Sequence, residues 1–324
     1  MAGAFFASPG PVEVARSHIL GIMTRGQGIA DLLAGRPGGE RADPGATVCS
    51  CFDVGMNTIL SAIAAKTETL RLATGVTCPS IRYHPAIIAQ AAATLQIISD
   101  GRFTLGVGAG ERLSERIVGQ GWPEVGDRHR RFREALEIIR LLWSGGTHSY
   151  RGDFLTLQDA RVYDLPETLP EIVVAAGGPQ AAALAAELGD GLFSTDPDAS
   201  LIEAWTAAGG DGPRYCEVPT AFAPDVRAGA EAAHERFRFG PLGWKVLAEL
   251  PDPTAFDQAT QSIRVEDMEE AFACGPDVER HVEVFSEFRE AGFDHLVLMD
   301  ASTDPDAFMG FFQDELGPRL RQSA

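Results

Sequence analysis

From Asn57 to the carboxyl terminus, short apolar segments typical of buried strands alternate with segments of helical periodicity. The strand-like segments are residues 70–76, Phe103–Val107, Glu171–Ala175, 192–195, 218–221 and 295–299. Helical periodicity predicts helices over residues 58–67, 278–290, 308–321 and 127–142, the last with an apolar stripe. Strands that are separated by helices pair in parallel, because the helix returns the chain to the same end of the sheet. At this length, the alternation predicts an α/β fold, a (β/α)8 TIM-type barrel rather than an open sheet.

Residues 1–56 do not share this pattern. They are rich in Gly, Pro, Arg and Ala, and no strand periodicity can be found in them. We therefore divide the chain into an atypical segment, residues 1–56, and a barrel domain, residues 57–324. The βαβ portion that would begin the barrel is predicted to be atypical or degenerate. Two explanations stay open: a genuine but divergent start of the barrel, or its replacement by unrelated sequence, for instance by translation in another reading frame.

The composition limits the partners of the chain. Its 27 basic and 46 acidic residues give a net charge of −19, which argues against nucleic acid and against anionic membrane surfaces. No apolar run is long enough to span a bilayer. The five cysteines are scattered and lack the spacing of a disulfide framework or a zinc site, so no metal is predicted. We expect a cytoplasmic protein.

The stretch from Phe103 to Trp122 contains the first candidate for chemistry. Glycines alternate at Gly106, Gly108 and Gly110 where the predicted strand ends, so the backbone there can approach a ligand closely. Glu111 follows at once, and acid–base residues are usually found at the carboxyl ends of barrel strands. The simpler alternative is that Glu111 is an acidic residue at a helix start, where it interacts favourably with the helix dipole.

Six short segments occur in a characteristic order and spacing between about residue 57 and the carboxyl terminus. They are residues 77–86 (TCPSIRYHPA), Ala89-Gln90, and residues 108–111 (GAGE), 121–123 (GWP), 142–145 (LWSG) and 175–179 (AAGGP). Taken together, these segments resemble the luciferase-like monooxygenase superfamily, and within it the coenzyme F420-dependent glucose-6-phosphate dehydrogenases.

The resemblance implies a TIM-type barrel that binds the deazaflavin F420 at its carboxyl-terminal face. It places the backbone bend behind the ring, often a cis peptide, at Gly75-Val76, and it makes Glu111 the acid/base. A Gly-rich turn before a helix would bind the phosphate of the cofactor. Thr195 would contact the substrate. The residues implied in cofactor binding are Gly75, Val76, Cys78, Gly108, Ala109, Ser114, Ala175, Ala176, Gly177, Gly178 and Gln180.

The chain also departs from the family pattern. The Asp-His pair and downstream Trp that relatives carry near the second strand are absent before residue 57, and nothing marks His18 as their equivalent. The lysine expected shortly after Thr195 is replaced by the acidic run Asp196-Pro197-Asp198. Residues 266–270 (EDMEE) are acidic where a phosphate-binding arginine is expected. Acidic groups would repel a sugar phosphate, so glucose 6-phosphate is not the expected substrate.

Three hypotheses follow. The first is an F420-dependent oxidoreductase that moves a hydride between a small organic substrate and the deazaflavin. The second is an FMN-dependent luciferase-like monooxygenase. The third is a barrel of this family whose catalysis is impaired because the Asp-His/Trp motif is missing. In each case the expected partner is a small-molecule substrate, and the sequence is compatible with both a monomer and a homodimer.

Overall fold

The computed structural model describes residues 53–322, with side chains from residue 59 onward. The predicted segment 1–56 therefore lies almost wholly outside the described residues, and so does His18. In the described part, no helix is both long and apolar enough to cross a membrane.

Nine strands form two sheets within residues 53–322. Seven parallel strands make the main sheet in the order β1-β2-β5-β6-β7-β8, with β9 also paired to β7, whereas β3 and β4 form a separate antiparallel hairpin. The strands are β1 (Leu72–Ala73), β2 (Phe103–Val107), β3 (His148–Arg151), β4 (Thr156–Ala160), β5 (Glu171–Ala175), β6 (Gly191–Ser194), β7 (Arg214–Ala221), β8 (Ala273–Cys274) and β9 (His295–Asp300).

Helices connect the parallel strands and cover one face of the sheet, which curls into part of a (β/α) barrel. The predicted α/β barrel class is thereby confirmed. The helices are α1 (Asp53–Ala64), α2 (Pro85–Ile98), α3 (Arg112–Glu115), α4 (Val125–Trp143), α5 (Pro179–Leu188), α6 (Ala199–Ala207), α7 (Val226–Phe237), α8 (Trp244–Leu247), α9 (Pro253–Ala259), α10 (Val265–Ala271), α11 (Val278–Glu290), α12 (Pro305–Phe311) and α13 (Gly317–Gln322).

The two faces of the sheet differ in burial along β7, where half-buried and buried residues alternate from Tyr215 to Thr220. Helix-facing residues such as Leu105, Ile172 and Leu192 are almost fully buried, and the predicted apolar stripe of α4 packs in the same core. Along each strand, these residues alternate with residues on the opposite face, which lines the inside of the barrel and is called the lumen face here. Partners in register share a face, so the pairs Phe193↔Tyr215 and Glu217↔Val297 place these four side chains on the lumen face.

Several predicted element boundaries were wrong. The strand predicted over residues 70–76 is only the two-residue β1, because the chain bends at the cis peptide bond between Gly75 and Val76. The strand predicted over residues 218–221 is the last half of β7, which begins at Arg214. The helix predicted over residues 58–67 is α1, which begins and ends earlier. The closing helix predicted over residues 308–321 is divided between α12, the π-helical segment Phe312–Leu316 and α13.

Candidate active site

Backbone hydrogen bonds hold the turn after β1 against the end of β2. The Thr77 N–H donates to the Gly106 carbonyl (2.8 Å), and the Gly108 N–H donates to the Thr77 carbonyl (2.9 Å). The Thr74 hydroxyl also donates to the Gly106 carbonyl (2.8 Å). The cis peptide expected at Gly75-Val76 is present. These hydrogen bonds place it directly beside the glycine-rich end of β2.

The glycines of this loop are required by close packing. A Cβ on Gly106 would lie 1.8 Å from the Thr74 carbonyl oxygen, and one on Gly108 would lie 2.8 Å from Val76 Cγ2. The same position at Gly108 is 3.5 Å from the Cβ of Ala175 at the end of β5. The predicted residues of the first three strand ends thus lie together at one edge of the sheet.

Glu111 occupies the N-cap position of α3, but its side chain makes no capping hydrogen bond. The carboxyl is half-buried, and burial raises its pKa; the negative charge of Glu115 raises it further. An acidic side chain that only favoured the helix dipole would gain from being ionised and exposed. The geometry of Glu111 therefore favours the acid–base hypothesis over the simpler one.

A second carboxyl shares the lumen with Glu111, and the sequence analysis did not identify it. Glu217 points to the lumen face of β7 and is half-buried. Burial and then the charge of Glu111 raise the pKa of Glu217 to about 7. The signal available in the sequence was one acidic residue inside an otherwise strand-like segment, residues 214–221 (RYCEVPTA).

Beneath the loop, Glu115 and Arg82 form a buried pair. Glu115 Oε2 accepts a hydrogen bond from the Arg82 backbone N–H (2.8 Å), and Arg82 Nε lies 3.9 Å from Glu115 Oε1. The two side chains are 0% and 7% exposed, respectively. A Cβ on Gly110 would lie 2.7 Å from Glu115 Cγ, so Glu115 also fills the space under this glycine. The pair links the segment after β1 to the loop that carries Glu111.

The turn between β5 and α5 presents free backbone donors. Gly178 is the N-cap residue in extended conformation, no side chain caps the helix, and Pro179 follows at the first helical position. The N–H groups of the next residues, Gln180 and Ala181, lack an intrahelical acceptor at that place in a helix. A Cβ on Gly178 would contact nothing within 4 Å, so the turn is open to a ligand.

Two side chains from other elements flank this turn. The indole of Trp244 on α8 packs against Gly177, where a Cβ would approach Trp244 Cδ1 to 2.9 Å. His129 on α4 forms a side-chain hydrogen bond with Gln180, and burial lowers the pKa of this imidazole, which favours its neutral form. The predicted phosphate turn is thus bordered by an aromatic ring and a histidine.

At the end of β6, Thr195 is exposed and is followed by the acidic run. Asp198 caps α6, because its carboxylate accepts hydrogen bonds from the Ser200 N–H (2.9 Å) and hydroxyl (2.6 Å). Those bonds hold the pKa of Asp198 below its usual value. Burial and the charge of Asp198 raise the pKa of Asp196, and the ammonium of Lys245 opposes that rise. Two carboxyls therefore share one lysine at this edge of the site.

The segment from Gly240 to Asp252 packs against the loop that follows Glu111. The Arg112 N–H donates to the Ala248 carbonyl (2.9 Å). The Glu249 carboxylate accepts from Trp122 Nε1 (2.8 Å) and from Arg128 Nη2 (2.6 Å). The guanidinium of Arg128 lies 4.2 Å from the centroid of the Trp122 ring. These contacts fix the loop and bring α8 to the mouth of the site.

The structure thus brings most of the predicted residues to the carboxyl ends of four adjacent strands. Cys78 is half-buried, and its Cβ lies 3.8 Å from where a Cβ on Gly110 would stand. Ala109 is partly buried, and Ser114 is half-buried on α3, where its N–H donates to the Glu111 carbonyl (3.2 Å). Ala176 follows β5 and donates its N–H to the Phe193 carbonyl (2.9 Å). The ligand that each residue would contact stays a prediction.

Comparison with known proteins identifies the class. The model of the family described as luciferase-like monooxygenase matches residues 54–295, three quarters of the chain, and the chain therefore belongs to this family. The family resemblance found in the sequence is confirmed.

Individual relatives and structures point to one branch of the family. An F420-dependent glucose-6-phosphate dehydrogenase from Microbacterium testaceum is 34% identical, over 81% of this chain and 82% of the relative. An enzyme of the same name from Kribbella flavida is 35% identical, over 81% and 83%.

Two solved structures share the fold. An F420-dependent secondary alcohol dehydrogenase in complex with an F420-acetone adduct has a TM-score of 0.74 at 27% identity and covers 86% of both chains. A coenzyme F420-dependent tetrahydromethanopterin reductase from Methanopyrus kandleri has a TM-score of 0.66 at 22% identity and covers 82% of this chain and 87% of that one. At that identity the second structure supports the fold alone.

Proposed function

We propose that the chain is a coenzyme F420-dependent oxidoreductase that moves a hydride between a small organic substrate and the deazaflavin. The observation that carries the proposal is the meeting of the cis Gly75-Val76 turn, the Gly108–Glu111 loop and the open Gly177–Gln180 turn at one edge of the sheet. Relatives that are named for F420 support it, including the alcohol dehydrogenase structure.

The described residues fit such a cofactor in two respects. The N-terminus of α5 offers uncapped N–H groups beside Gly178, and such a helix start favours a phosphate. The ends of β1, β2 and β5 present glycine and alanine to the lumen, so a flat ring would meet backbone and methyl groups there rather than long side chains. The residues that would border the ring are Gly75, Val76, Cys78, Gly108 and Ala109, with Ser114 near the cofactor. Those that would surround its phosphate-bearing chain are Ala175, Ala176, Gly177, Gly178 and Gln180.

When bound, F420 accepts or supplies a hydride at C5 of its deazaflavin. The protein's part is to manage the proton that accompanies the hydride. The half-buried carboxyl of Glu111 can take this proton on one of its Oε atoms or give it back, because burial raises its pKa and makes the protonated form more accessible than in an exposed carboxyl. The Trp122–Arg128–Glu249 contacts hold the loop that carries Glu111 in place.

We propose a small, unphosphorylated alcohol or carbonyl compound, or an activated alkene, as the substrate class. Thr195 would contact it. The carboxyls of Asp196 and Asp198 lie beside Thr195, and the charge of Lys245 is shared between them. A phosphate dianion at this edge would meet net negative charge, and repulsion between unit charges 4 Å apart is about 4 kcal/mol at an effective dielectric constant near 20. Glucose 6-phosphate is therefore disfavoured, although relatives are named for it.

We further propose that residues 1–56 and 57–324 are distinct parts of the chain. We also propose that the absence of the family's Asp-His/Trp motif from the sequence before residue 57 limits turnover. A cytoplasmic location fits Cys78, Cys216 and Cys274, which are not joined in disulfides in the described part of the chain. A homodimer would be visible as a doubled mass in light scattering.

The test is a titration of the purified chain with F420 and, separately, with FMN, followed by the fluorescence of each cofactor. Tighter binding of F420 supports the proposal. Equal or tighter binding of FMN contradicts it and favours the monooxygenase hypothesis, which oxygen consumption with reduced FMN would then examine. A chain that binds F420 but reduces it with no alcohol would support the hypothesis of impaired catalysis. The exposed Glu203 on α6 provides a matched control, Glu203→Gln, which should bind both cofactors as the parent does.

A further inference from the structure

We propose that Glu249 is a positioning residue for Glu111, because its carboxylate holds a crossing segment against the loop that carries Glu111. The crossing segment comprises residues 244–252, begins with α8 and is called the strap here, and the loop comprises residues 111–124. The effect on turnover rests on the proposed function, whereas the hold on the loop can be tested without cofactor or substrate.

The outer part of this loop has little packing of its own. Residues 116–121 are all exposed, and a Cβ on Gly119 or Gly121 would meet nothing within 4 Å. On its inner side the loop is anchored by the buried pair of Glu115 and Arg82. Segments with few buried contacts open locally at a low cost in free energy. The position of the outer part therefore depends on the contacts that it makes with the strap.

The strap joins two parts of the candidate site through a single helical turn. Trp244 and Ala248 are four residues apart, and the Ala248 N–H donates to the Trp244 carbonyl (2.9 Å), so both lie on one side of α8. The Trp244 indole packs on Gly177 of the predicted phosphate turn. The carbonyl of the buried Ala248 accepts the N–H of Arg112 (2.9 Å), the residue directly after Glu111. A displacement of the strap would therefore reach the backbone beside Glu111.

Glu249 supplies the polar contacts that hold the strap to the loop. Its carboxylate accepts hydrogen bonds from Trp122 Nε1 (2.8 Å) and Arg128 Nη2 (2.6 Å), and its carbonyl accepts one from Arg112 Nη1 (3.4 Å). The Arg128 side chain is only 9% exposed, and a charge at such burial is costly without its partner. A cavity of about 290 Å³ opens among the same residues, so polar contacts rather than close packing hold this joint.

An ion pair elsewhere in the chain provides a matched control. Arg133 on α4 donates to both carboxylate oxygens of the exposed Glu187 on α5 (2.5 and 2.7 Å). Glu187→Ala therefore removes a carboxylate with two charge-assisted or polar contacts, as Glu249→Ala does, but it leaves the strap and the loop intact. A general loss of stability would affect both variants, whereas a loss of position at Glu111 would affect Glu249→Ala alone.

Turnover in a double-mutant cycle separates positioning from a structural role. Glu249→Ala should lower kcat about 10- to 100-fold, the cost of misplacing a catalytic group by about 1 Å, and leave the Kd of F420 within about three-fold. In the Glu111→Gln background the same change should have no further effect, because Glu249 acts through Glu111. Unchanged kcat in Glu249→Ala, or equal losses in both backgrounds, overturns the proposal. Should Glu249→Ala not fold, Trp122→Phe decides in the same cycle, since it removes the indole donor and keeps an aromatic ring beside Arg128.

Hydrogen exchange of the cofactor-free protein, followed by mass spectrometry, tests the hold on the loop separately from catalysis. Peptides that cover residues 111–121 should exchange at least about ten-fold faster in Glu249→Ala than in the parent, since local opening costs less there. Glu187→Ala should exchange as the parent does. Unchanged exchange in Glu249→Ala overturns the proposal. Failure of the parent to bind F420 would instead contradict the proposed function, while the exchange result would still decide whether Glu249 holds the loop.

Discussion

The carboxyl of Glu217 should make the folding stability of this chain fall as the pH rises from 5 to 8. The ordinary pKa of this group is 4.5, and in the folded protein it is raised to about 7. Between these values the folded state holds a proton that the unfolded state has lost, so the free energy of unfolding decreases with pH. Below pH 4.5 both states are protonated and above pH 7 both are ionised, so the change is confined to that window.

The magnitude follows from the shift. One pKa unit corresponds to about 1.4 kcal/mol, so the loss contributed by Glu217 is at most about 3 kcal/mol between pH 4.5 and pH 7. Glu217→Gln has no such titration. Its free energy of unfolding should match that of the parent at pH 5 and exceed it by up to about 3 kcal/mol at pH 8. With about 2.1 cal/mol/K of unfolding entropy per residue, this is a difference of about 4 °C in Tm.

The assay is urea unfolding at pH 5 and pH 8, followed by circular dichroism, on the parent, Glu217→Gln and the control Glu203→Gln. The control is exposed on α6, and its difference from the parent should not vary between the two pH values. A difference between the parent and Glu217→Gln that is the same at both pH values would refute the reasoning, since it would mean that Glu217 is as readily ionised when folded as when unfolded.

Three other results are expected. Glu111→Gln should bind F420 within a few-fold of the parent but lower turnover by a factor of roughly 10² to 10⁴, the usual contribution of a positioned acid or base; unchanged turnover, measured by F420 absorbance, would reduce Glu111 to a helix-start residue. Glucose 6-phosphate should give no F420 reduction under conditions where a simple alcohol does, and measurable reduction with the sugar would overturn the argument from Asp196 and Asp198. Glu134→Ala should lower the free energy of unfolding by about 2–4 kcal/mol. The buried Glu134 carboxylate accepts hydrogen bonds from the N–H groups of Asp153, Phe154 and Leu155, which would lack an acceptor in the variant. At about 2 cal/mol/K of unfolding entropy per residue, this loss lowers Tm by several degrees, and a Tm within about 1 °C of the parent would contradict the prediction.

The sequence predicted the parts of the fold where local pattern and tertiary packing agree. The strand at Phe103–Val107 was found because all five residues are buried, so the run is continuously apolar or small. The helix at Val278–Glu290 was found within its bounds because its apolar stripe and the Gly292 beyond its end are both local signals. The glycine-rich loops of the candidate site were found for the same reason, since close backbone approach requires glycine wherever it occurs.

The parts that were missed depend on contacts between distant segments. β7 was predicted to begin at Val218, since a charged residue at 217 interrupts the apolar run, and Glu217 was thereby left outside the strand that positions it. β8 has two residues and exists through its pairing with Thr220 and Ala221. The contact of Glu249 with Trp122 and Arg128 joins residues more than a hundred positions apart, and no local pattern predicts such a contact.

Lys245, whose ammonium acts on both Asp196 and Asp198, is also a convenient position for a fluorescent label. The whole chain has only two lysines: Lys66, which follows α1 at the amino-terminal end of the strands, and Lys245, which is exposed on α8 at the opposite end. In a Lys66→Arg variant, an amine-reactive dye would find Lys245 as the one lysine side chain, next to the Trp244 that packs on Gly177. A fluorophore attached there would stand at the mouth of the site and report occupancy by change in its emission, whatever the substrate proves to be.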